Sequence, residues 1–461
     1  MLEKKLFSPA LNSPGGPKLV DGSRVGVMGG GPAGTFFSYF LLDMAARIGL
    51  ELQVDIFEPR DFSITGPGGC NMCGGIISES LVQLLAAEGI NLPAAVVQRG
   101  IASYILHMAE GDAQIDTPLR EKRIAVVHRG SGPRGIKEIK WGSFDAYLLK
   151  LATDKGARLV PGRVVGLEWK DSCPQVRTQS GTLQTYDLLA AAVGVNTAAL
   201  KLFEGDGLLY QPPRLTKTYI NEFFLGQELV DKCLGSSMHV FLLNLPRLEF
   251  AALIPKGDYV TLCLLGKDID ATLIQSFLEH PKVRQCLPPG WNNPADTCHC
   301  SPRINIEGAV QPYADRMVFI GDCGVTRLYK DGIGAAYRVA KAAARTAIFE
   351  GISAGDFQKH YWPVCRAIST DNRIGKALFL ISRLIQQMRV TRRGMLSMVN
   401  REQQQAGRPQ RMSMIMWDIF TGSAPYQDIL LRIFQPAFIA GFLWNTAVGL
   451  LPKKKKNKIG D

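Results

Sequence analysis

A short, mostly apolar run over residues 24–28 is followed at once by six residues rich in glycine, and then by residues 35–48, whose apolar positions recur at helical spacing. The run reads as a buried strand, the glycines as a turn and the next stretch as a helix with Gly49 as its stop. Residues 52–57 (LQVDIF) are a second β-type run ending in Glu58. Residues 67–75 (PGGCNMCGG) hold too much glycine for an element and read as a loop lying close to something that needs backbone access. A helix is predicted over 143–155. Further on, residues 218–225, 238–243, 249–254 and 259–265 are β-type runs with no helix between them, which predicts an antiparallel sheet. The strand–helix grammar returns with 316–320 (RMVFI), which ends in Gly321-Asp322, and with an alanine-rich helix over 332–350. The expectation is an α/β chain. A Rossmann-like domain built from 20–75, 120–200 and 295–350 is interrupted by an antiparallel-sheet substrate domain from 76–119 and 201–294. Residues 351–461 form a mainly helical appendage.

Composition narrows the class. Of 461 residues, 46% are hydrophobic and 20% charged, so the chain is neither disordered nor fibrous. The net charge of +12 sits almost wholly at one end: residues 373–461 hold 15 basic and 4 acidic side chains. That asymmetry excludes a globally basic nucleic-acid binder and points to one basic module that meets an anionic surface. Ten cysteines are too sparse for a disulfide framework, and residues 1–20 contain no apolar signal core, so a reducing, cytoplasmic setting is expected.

Gly29-x-Gly31-x-x-Gly34 has the glycines needed for a tight turn, for close approach of backbone to a pyrophosphate and for close helix packing. It follows a strand, opens a helix, and is succeeded 24 residues after Gly34 by Glu58, placed to accept from a ribose hydroxyl. An acid there disfavours a 2′-phosphate, so the site expected is one for an adenosine diphosphate moiety. Two close cysteine pairs, Cys70-x-x-Cys73 and Cys298-His299-Cys300, have redox or metal spacing. Their C-x-C half is irregular for zinc, and none of the six histidines shows ligand spacing with another, so no metal site is expected.

Together the N-terminal fingerprint, the strand end Val318-Phe319-Ile320-Gly321-Asp322 and the helix start Asp331-Gly332-Ile333 resemble flavoproteins of the p-hydroxybenzoate hydroxylase fold. Within that fold the chain is similar to the geranylgeranyl reductase family, whose Cys-small-x-x-Ile-Ser segment is matched by Cys73 to Ser78 and whose Pro-Lys-Gly turn by Pro255-Lys256-Gly257. The resemblance covers residues 24–350 and implies FAD as cofactor. Carried over, Gly29, Gly31, Ala33 and Gly34 hold the pyrophosphate, Glu58 the adenosine ribose and Asp322 the ribityl chain. Gly332 and Ile333 face the isoalloxazine, with Cys73 and Gly74 beside it and Cys73 as the catalytic candidate. Phe250 and Pro255 belong to the substrate pocket. Three departures stand out: Val193-Gly194 replaces an aspartate-glycine pair, Trp141 stands where an arginine precedes Phe144-Asp145, and Ala252 and Ile254 replace larger rings, which widens the pocket or changes its substrate.

Residues 433–451 carry no charge and are followed by Pro452 and Lys453 to Lys456. The segment is long enough to span a bilayer. Pro436, Gln435, Asn445, Gly441 and Gly449 weaken it, which favours a segment lying in an anionic membrane interface, with a span and a buried core helix as alternatives. Arg389 to Arg393, Arg408 and Arg411 add to a basic face. The leading expectation is an FAD-dependent oxidoreductase that hydrogenates carbon–carbon double bonds of an isoprenoid lipid at the membrane. A flavin monooxygenase, a dithiol-linked flavoenzyme and a non-catalytic flavin-binding membrane protein are the alternatives. No second nucleotide fingerprint identifies the electron donor, and ferredoxin, NAD(P)H and quinol stay open.

Overall fold

Buried aliphatic runs place Arg24–Met28 and Leu188–Ala191 at the centre of a six-stranded sheet, where both faces are covered and no polar alternation is needed. Its order is Tyr313–Ala314, Met317–Phe319, Leu188–Ala191, Arg24–Met28, Gln53–Glu58, Arg158–Pro161, parallel throughout except at the Tyr313–Ala314 edge. The computed structural model describes residues 16–118, 124–136, 141–205, 207–294, 297–405, 407 and 409–450. The first helix, Pro32–Arg47, starts three residues before the expected point because Pro32 suits the first helical position. It packs on Gly332–Arg345, with Tyr337 edge-on to Phe36 and Phe40 at 5.5 and 5.2 Å. The helix expected over 332–350 is present in two geometries, α to Arg345 and π over Thr346–Glu350.

The second sheet has seven strands, in the order Cys298–Cys300, Tyr219–Phe224, Tyr259–Gly266, Leu248–Lys256, Ser237–Phe241, Ser103–Met108, Gly111–Asp116. Two expectations are corrected here. A helix, Gln227–Cys233, does stand between two of the runs, and the sheet is not purely antiparallel, since Ser237–Phe241 lies parallel to Ser103–Met108. The parallel pair joins strands more than 120 residues apart in the chain, so its sense is set by the long connection between them and not by a hairpin. The sheet also runs past the expected boundary at 294, because Cys298–Cys300 pairs with Tyr219–Phe224. A small sheet joins Ile124–Val127 to Ile76–Ile77 and Val97–Ile101.

The C-terminal helices are not an appendage. Trp417, from Arg411–Thr421, is buried against Tyr104 at 5.2 Å, and the Tyr426 hydroxyl donates to the Leu328 carbonyl at 2.6 Å. Part of the basic excess is spent internally: Arg392 pairs with Glu110, Arg383 with Glu249 and Lys376 with Glu307. The uncharged run expected over 433–451 breaks at Gln435, where Pro436 opens a new helix, Pro436–Leu450, bent 66° from Tyr426–Ile433. Among the described residues no single helix is long and apolar enough to cross a membrane. Lys453 to Lys456 and Arg408 lie outside the described residues.

Candidate functional site

One cavity of about 630 Å³ lies where the two large sheets meet. Gly29, Gly31, Ala33, Glu58, Cys73, Gly74, Phe250, Asp322, Gly332 and Ile333 all line it. Two of the expected residues do not. In Leu248–Lys256 successive side chains alternate, so Phe250, Ala252 and Ile254 face the cavity and Pro255 faces away. Gly34 lies under the turn, where a Cβ would stand 1.9 Å from the Gly29 carbonyl oxygen; it allows the helix to sit against the strand.

The wall from the six-stranded sheet is polar because two helices begin there without a side-chain cap. Gly31 starts Pro32–Arg47 with no side-chain acceptor and no acid in the first turn. Asp331 starts Gly332–Arg345 in the left-handed region (φ 50°), and its carboxylate, lying beside Gly334, accepts no cap hydrogen bond from the helix backbone. It accepts from Ser78 Oγ at 2.6 Å and from Arg338 and Arg327 at 2.9 and 3.2 Å. The first-turn N–H groups of both helices therefore keep their positive ends for whatever occupies the cavity. Arg327 is itself fixed by the Gly422 and Ala424 carbonyls at 2.7 and 2.8 Å, so the C-terminal helices hold this helix start in place.

Glu58 bridges the turn to the loop behind it, accepting from Gly30 N at 2.8 Å and Arg60 N at 2.9 Å. Burial raises its carboxyl above the ordinary range against those two N–H groups. Asp322 opens onto the cavity and not onto bulk water, and that enclosure raises its carboxyl too, with the Arg129 charge opposing. Asn305 donates to the Asp322 carbonyl at 2.6 Å and leaves its own buried Oδ1 without a partner.

Sequence reasoning missed Arg129. It follows the strand Ile124–Val127, lines the cavity and pairs with the fully buried Asp145, Nη2 to Oδ2 at 2.9 Å. Asn71 links Asp145 to Arg60. Burial works against the Arg129 charge, but Asp145 and the Cys73 thiol hold the guanidinium firmly protonated. Trp141, at the position where the resemblance has an arginine, stacks on His128, the neighbour of Arg129, at 4.9 Å. The only sequence signal was a His-Arg pair at the end of a wholly apolar run.

Cys73 Sγ accepts from Gly75 N at 3.4 Å and touches Arg129. Cys70 is a different thiol: burial, with the Glu222 charge adding, pushes it up to about 11, so its thiolate is scarce and dithiol exchange with Cys73 is disfavoured. Behind it lies a buried ion pair, Lys256 to Glu222 at 2.5 Å, with Thr261 Oγ1 donating at 2.9 Å. Burial opposes ionisation of Glu222, yet Lys256 and His128 bring it down to about 2. Burial drives His128 to about 3, with Glu222 opposing.

The wall from the seven-stranded sheet is apolar. One cross-strand row, Val240, Ala252, Cys263 and Ile220, is in register across four strands and faces the cavity. Met238, Phe250, Ile254, Leu265 and Phe420 extend it.

No family model and no curated protein matches the sequence. Solved structures do. A geranylgeranyl bacteriochlorophyll reductase-like protein of Thermoplasma acidophilum is similar over 93% of this chain and 100% of its own, with TM-score 0.61 and 13% identity. PqsL of Pseudomonas aeruginosa, described as a probable FAD-dependent monooxygenase, covers 77% and 95% at TM-score 0.51 and 14% identity. HpxO of Klebsiella pneumoniae, complexed with FAD, covers 91% and 99% at TM-score 0.54 and 13% identity. These likenesses establish the fold.

Proposed function

We propose that the chain binds FAD in this cavity and is an oxidoreductase that reduces carbon–carbon double bonds of an isoprenoid lipid. The observation that carries the reading is the pairing of the two walls: two uncapped helix starts with Glu58 and Asp322 on one, an uncharged apolar row on the other. The residues present fit the cofactor. A Cβ at Gly31 would meet only the Asn71 side chain, at an ordinary contact distance of 3.5 Å, so the backbone there is open on its cavity side, and the unpaired Asn305 Oδ1 belongs to the side chain that donates to the Asp322 carbonyl. Gly29, Gly31 and Ala33 would hold the pyrophosphate, Glu58 the adenosine ribose and Asp322 the ribityl chain. The N–H groups of Gly332 and Ile333 would face the ring. Bound there and reduced, FAD supplies a hydride. The apolar row orients the prenyl chain and excludes water from it. Cys73 Sγ, held by Gly75 N–H and Arg129, offers a proton to the second carbon. The donor of the electrons is a ferredoxin, NAD(P)H or a quinol.

The same reading gives the C-terminal helices a cytoplasmic-side membrane role. Leu431, Phe434, Leu443 and Trp444 are each more than 60% exposed, and Arg389 and Arg393 are exposed at the start of the helix Arg389–Gln404, which packs on Pro436–Leu450. Phe420 and Thr421, on the helix that leads into the bent pair, reach the cavity wall. An apolar face flanked by arginines suits attachment to an anionic interface, from which a lipid substrate enters.

Anaerobic photoreduction of the purified chain, followed by a geranylgeranyl lipid, tests the reading. A flavin spectrum that bleaches and is restored by the lipid supports it. Restoration by air alone, with oxygen uptake coupled to another substrate, makes the enzyme a monooxygenase, and the absence of flavin ends the assignment. The membrane part fails if the full chain does not pellet with anionic vesicles at low salt, or if Trp444→Glu with Leu443→Glu pellets as well as the parent.

A further inference from the structure

The strand that carries Met238 and Val240 into the cavity turns His239 and Phe241 to the opposite face of the sheet. The neighbouring parallel strand does the same with His107, whose register partner is Phe241, so the two imidazoles are diagonal neighbours behind the active cavity. Cys286, just beyond the helix Pro281–Arg284, closes the group from above. All three side chains are buried, and one ligand atom from each lies within 4.8 Å of the other two. Residues 107, 239 and 286 have no common motif, which is why histidine spacing along the chain gave no sign of them.

The proton positions do not resolve into a satisfied apolar core. His107 Nδ1 faces the Asp112 carboxylate at 2.9 Å, and Lys282 pairs with that carboxylate at 3.0 Å. A carboxylate only accepts, so Nδ1 carries the hydrogen and the neutral ring turns a bare Nε2 inward. Facing that lone pair are His239 Nδ1 at 2.9 Å and Cys286 Sγ at 3.5 Å. If His239 Nδ1 donates, its other nitrogen, Nε2, is left as a bare acceptor, buried and without a partner. A cation removes the conflict. It takes both inward lone pairs, and the His239 hydrogen moves to Nε2, on a ring beside which the Leu234 backbone lies.

We infer that His107 Nε2, His239 Nδ1 and Cys286 Sγ form a zinc site. Zinc–nitrogen bonds of about 2.0–2.1 Å and a zinc–sulfur bond of about 2.3 Å at a tetrahedral angle put nitrogen and sulfur about 3.5 Å apart and the two nitrogens about 3.3 Å apart. The first matches the distance present, and the second needs the imidazoles to part by a few tenths of an ångström. Two imidazoles and a thiolate select a borderline or soft cation over magnesium or calcium. Asp112 is the outer carboxylate that orients a ligating histidine, and its half-exposed position marks the side of access. The cation binds the thiolate, so one S–H bond breaks, one zinc–sulfur bond forms, and one proton leaves for solvent. The site ties two strands of the large sheet to the turn at Cys286, directly behind the apolar row.

The test uses the full chain, stripped with a chelator and titrated with cobalt(II) and then zinc(II). We expect one saturable equivalent with a thiolate-to-cobalt charge-transfer band, bleached by zinc, with one proton released per metal and a higher thermal midpoint. Cys286→Ser should abolish the band. Asp112→Asn, a half-exposed and conservative change that leaves the core intact, should weaken binding roughly tenfold to a hundredfold. A chain that takes up no stoichiometric metal overturns the inference. So does a band that survives Cys286→Ser, which would place the metal at the Cys70, Cys73, Cys298 and Cys300 thiols. Neither readout depends on flavin or on turnover.

Discussion

The two walls of the cavity are built in opposite ways. The polar wall begins with a strand, a turn, a helix and a second strand contiguous from Arg24 to Glu58, and it presents backbone N–H groups at helix starts. The apolar wall gathers Ile220, Val240, Ala252 and Cys263 from four strands and Phe420 from a distant helix, and it presents side chains. A wall of backbone groups cannot be altered without altering the fold that aims them. A wall of side chains on one sheet face can change its shape while the ladder beneath stays intact. The difference predicts that mutations on the first wall cost stability and cofactor together, whereas mutations on the second change which substrate is accepted.

The sharpest way to break that contrast is to remove Asp145. It is fully buried, and it is the carboxylate that compensates Arg129 behind Cys73. Asp145→Ala leaves a buried guanidinium with no counter-charge, which should cost about 3–5 kcal/mol, read by denaturant unfolding, with loss of retained flavin. Stability unchanged by this variant would mean that the polar wall is not held by the pair. The next effect lies at the junction of the walls. His128 titrates near 3 in the fold and near 6.5 when unfolded, so the unfolded chain binds the extra proton first and stability falls with falling pH through that window. Acidification from pH 6.5 to 4 should cost roughly 3 kcal/mol from this residue. His128→Phe, which keeps a ring on Trp141, should flatten the thermal midpoint over that range relative to the parent.

Those contrasts also explain what was legible. The glycine turn, its flanking strands and the Asp331-Gly332 helix start are local patterns, and every one of their expected residues except Gly34 reaches the cavity. Register is not local. A one-residue slip exchanges the faces of a strand, so nothing in the sequence says that Phe250, Ala252 and Ile254 point inward while Pro255 points away. Arg129 escaped notice because its partners, Cys73 and Asp145, lie 56 residues before it and 16 after, and only the fold brings them together. The parallel pairing of Ser237–Phe241 with Ser103–Met108 was unreadable for the same reason, and with it the meeting of His107 and His239. The apolar run near the C terminus misled through composition: an uncharged segment reads as continuous, but Pro436 starts a helix better than it continues one.

The smallest predicted effect is the one that sharpens the contrast most. Ala252 sits in the middle of the cross-strand row, between Val240 and Cys263, on a strand whose hydrogen bonds do not involve its side chain. Ala252→Phe fills cavity space without touching a helix start, an ion pair or the glycine turn. Flavin content and the thermal midpoint should therefore stay at the parent values, while kcat/KM for a long prenyl substrate falls about tenfold, equivalent to about 1.4 kcal/mol of transition-state stabilisation. A shorter prenyl chain should lose less, because it need not pass the new ring. If instead the flavin is lost along with activity, the row lies under the cofactor and not under the substrate. The division of labour between the two walls would then have to be redrawn.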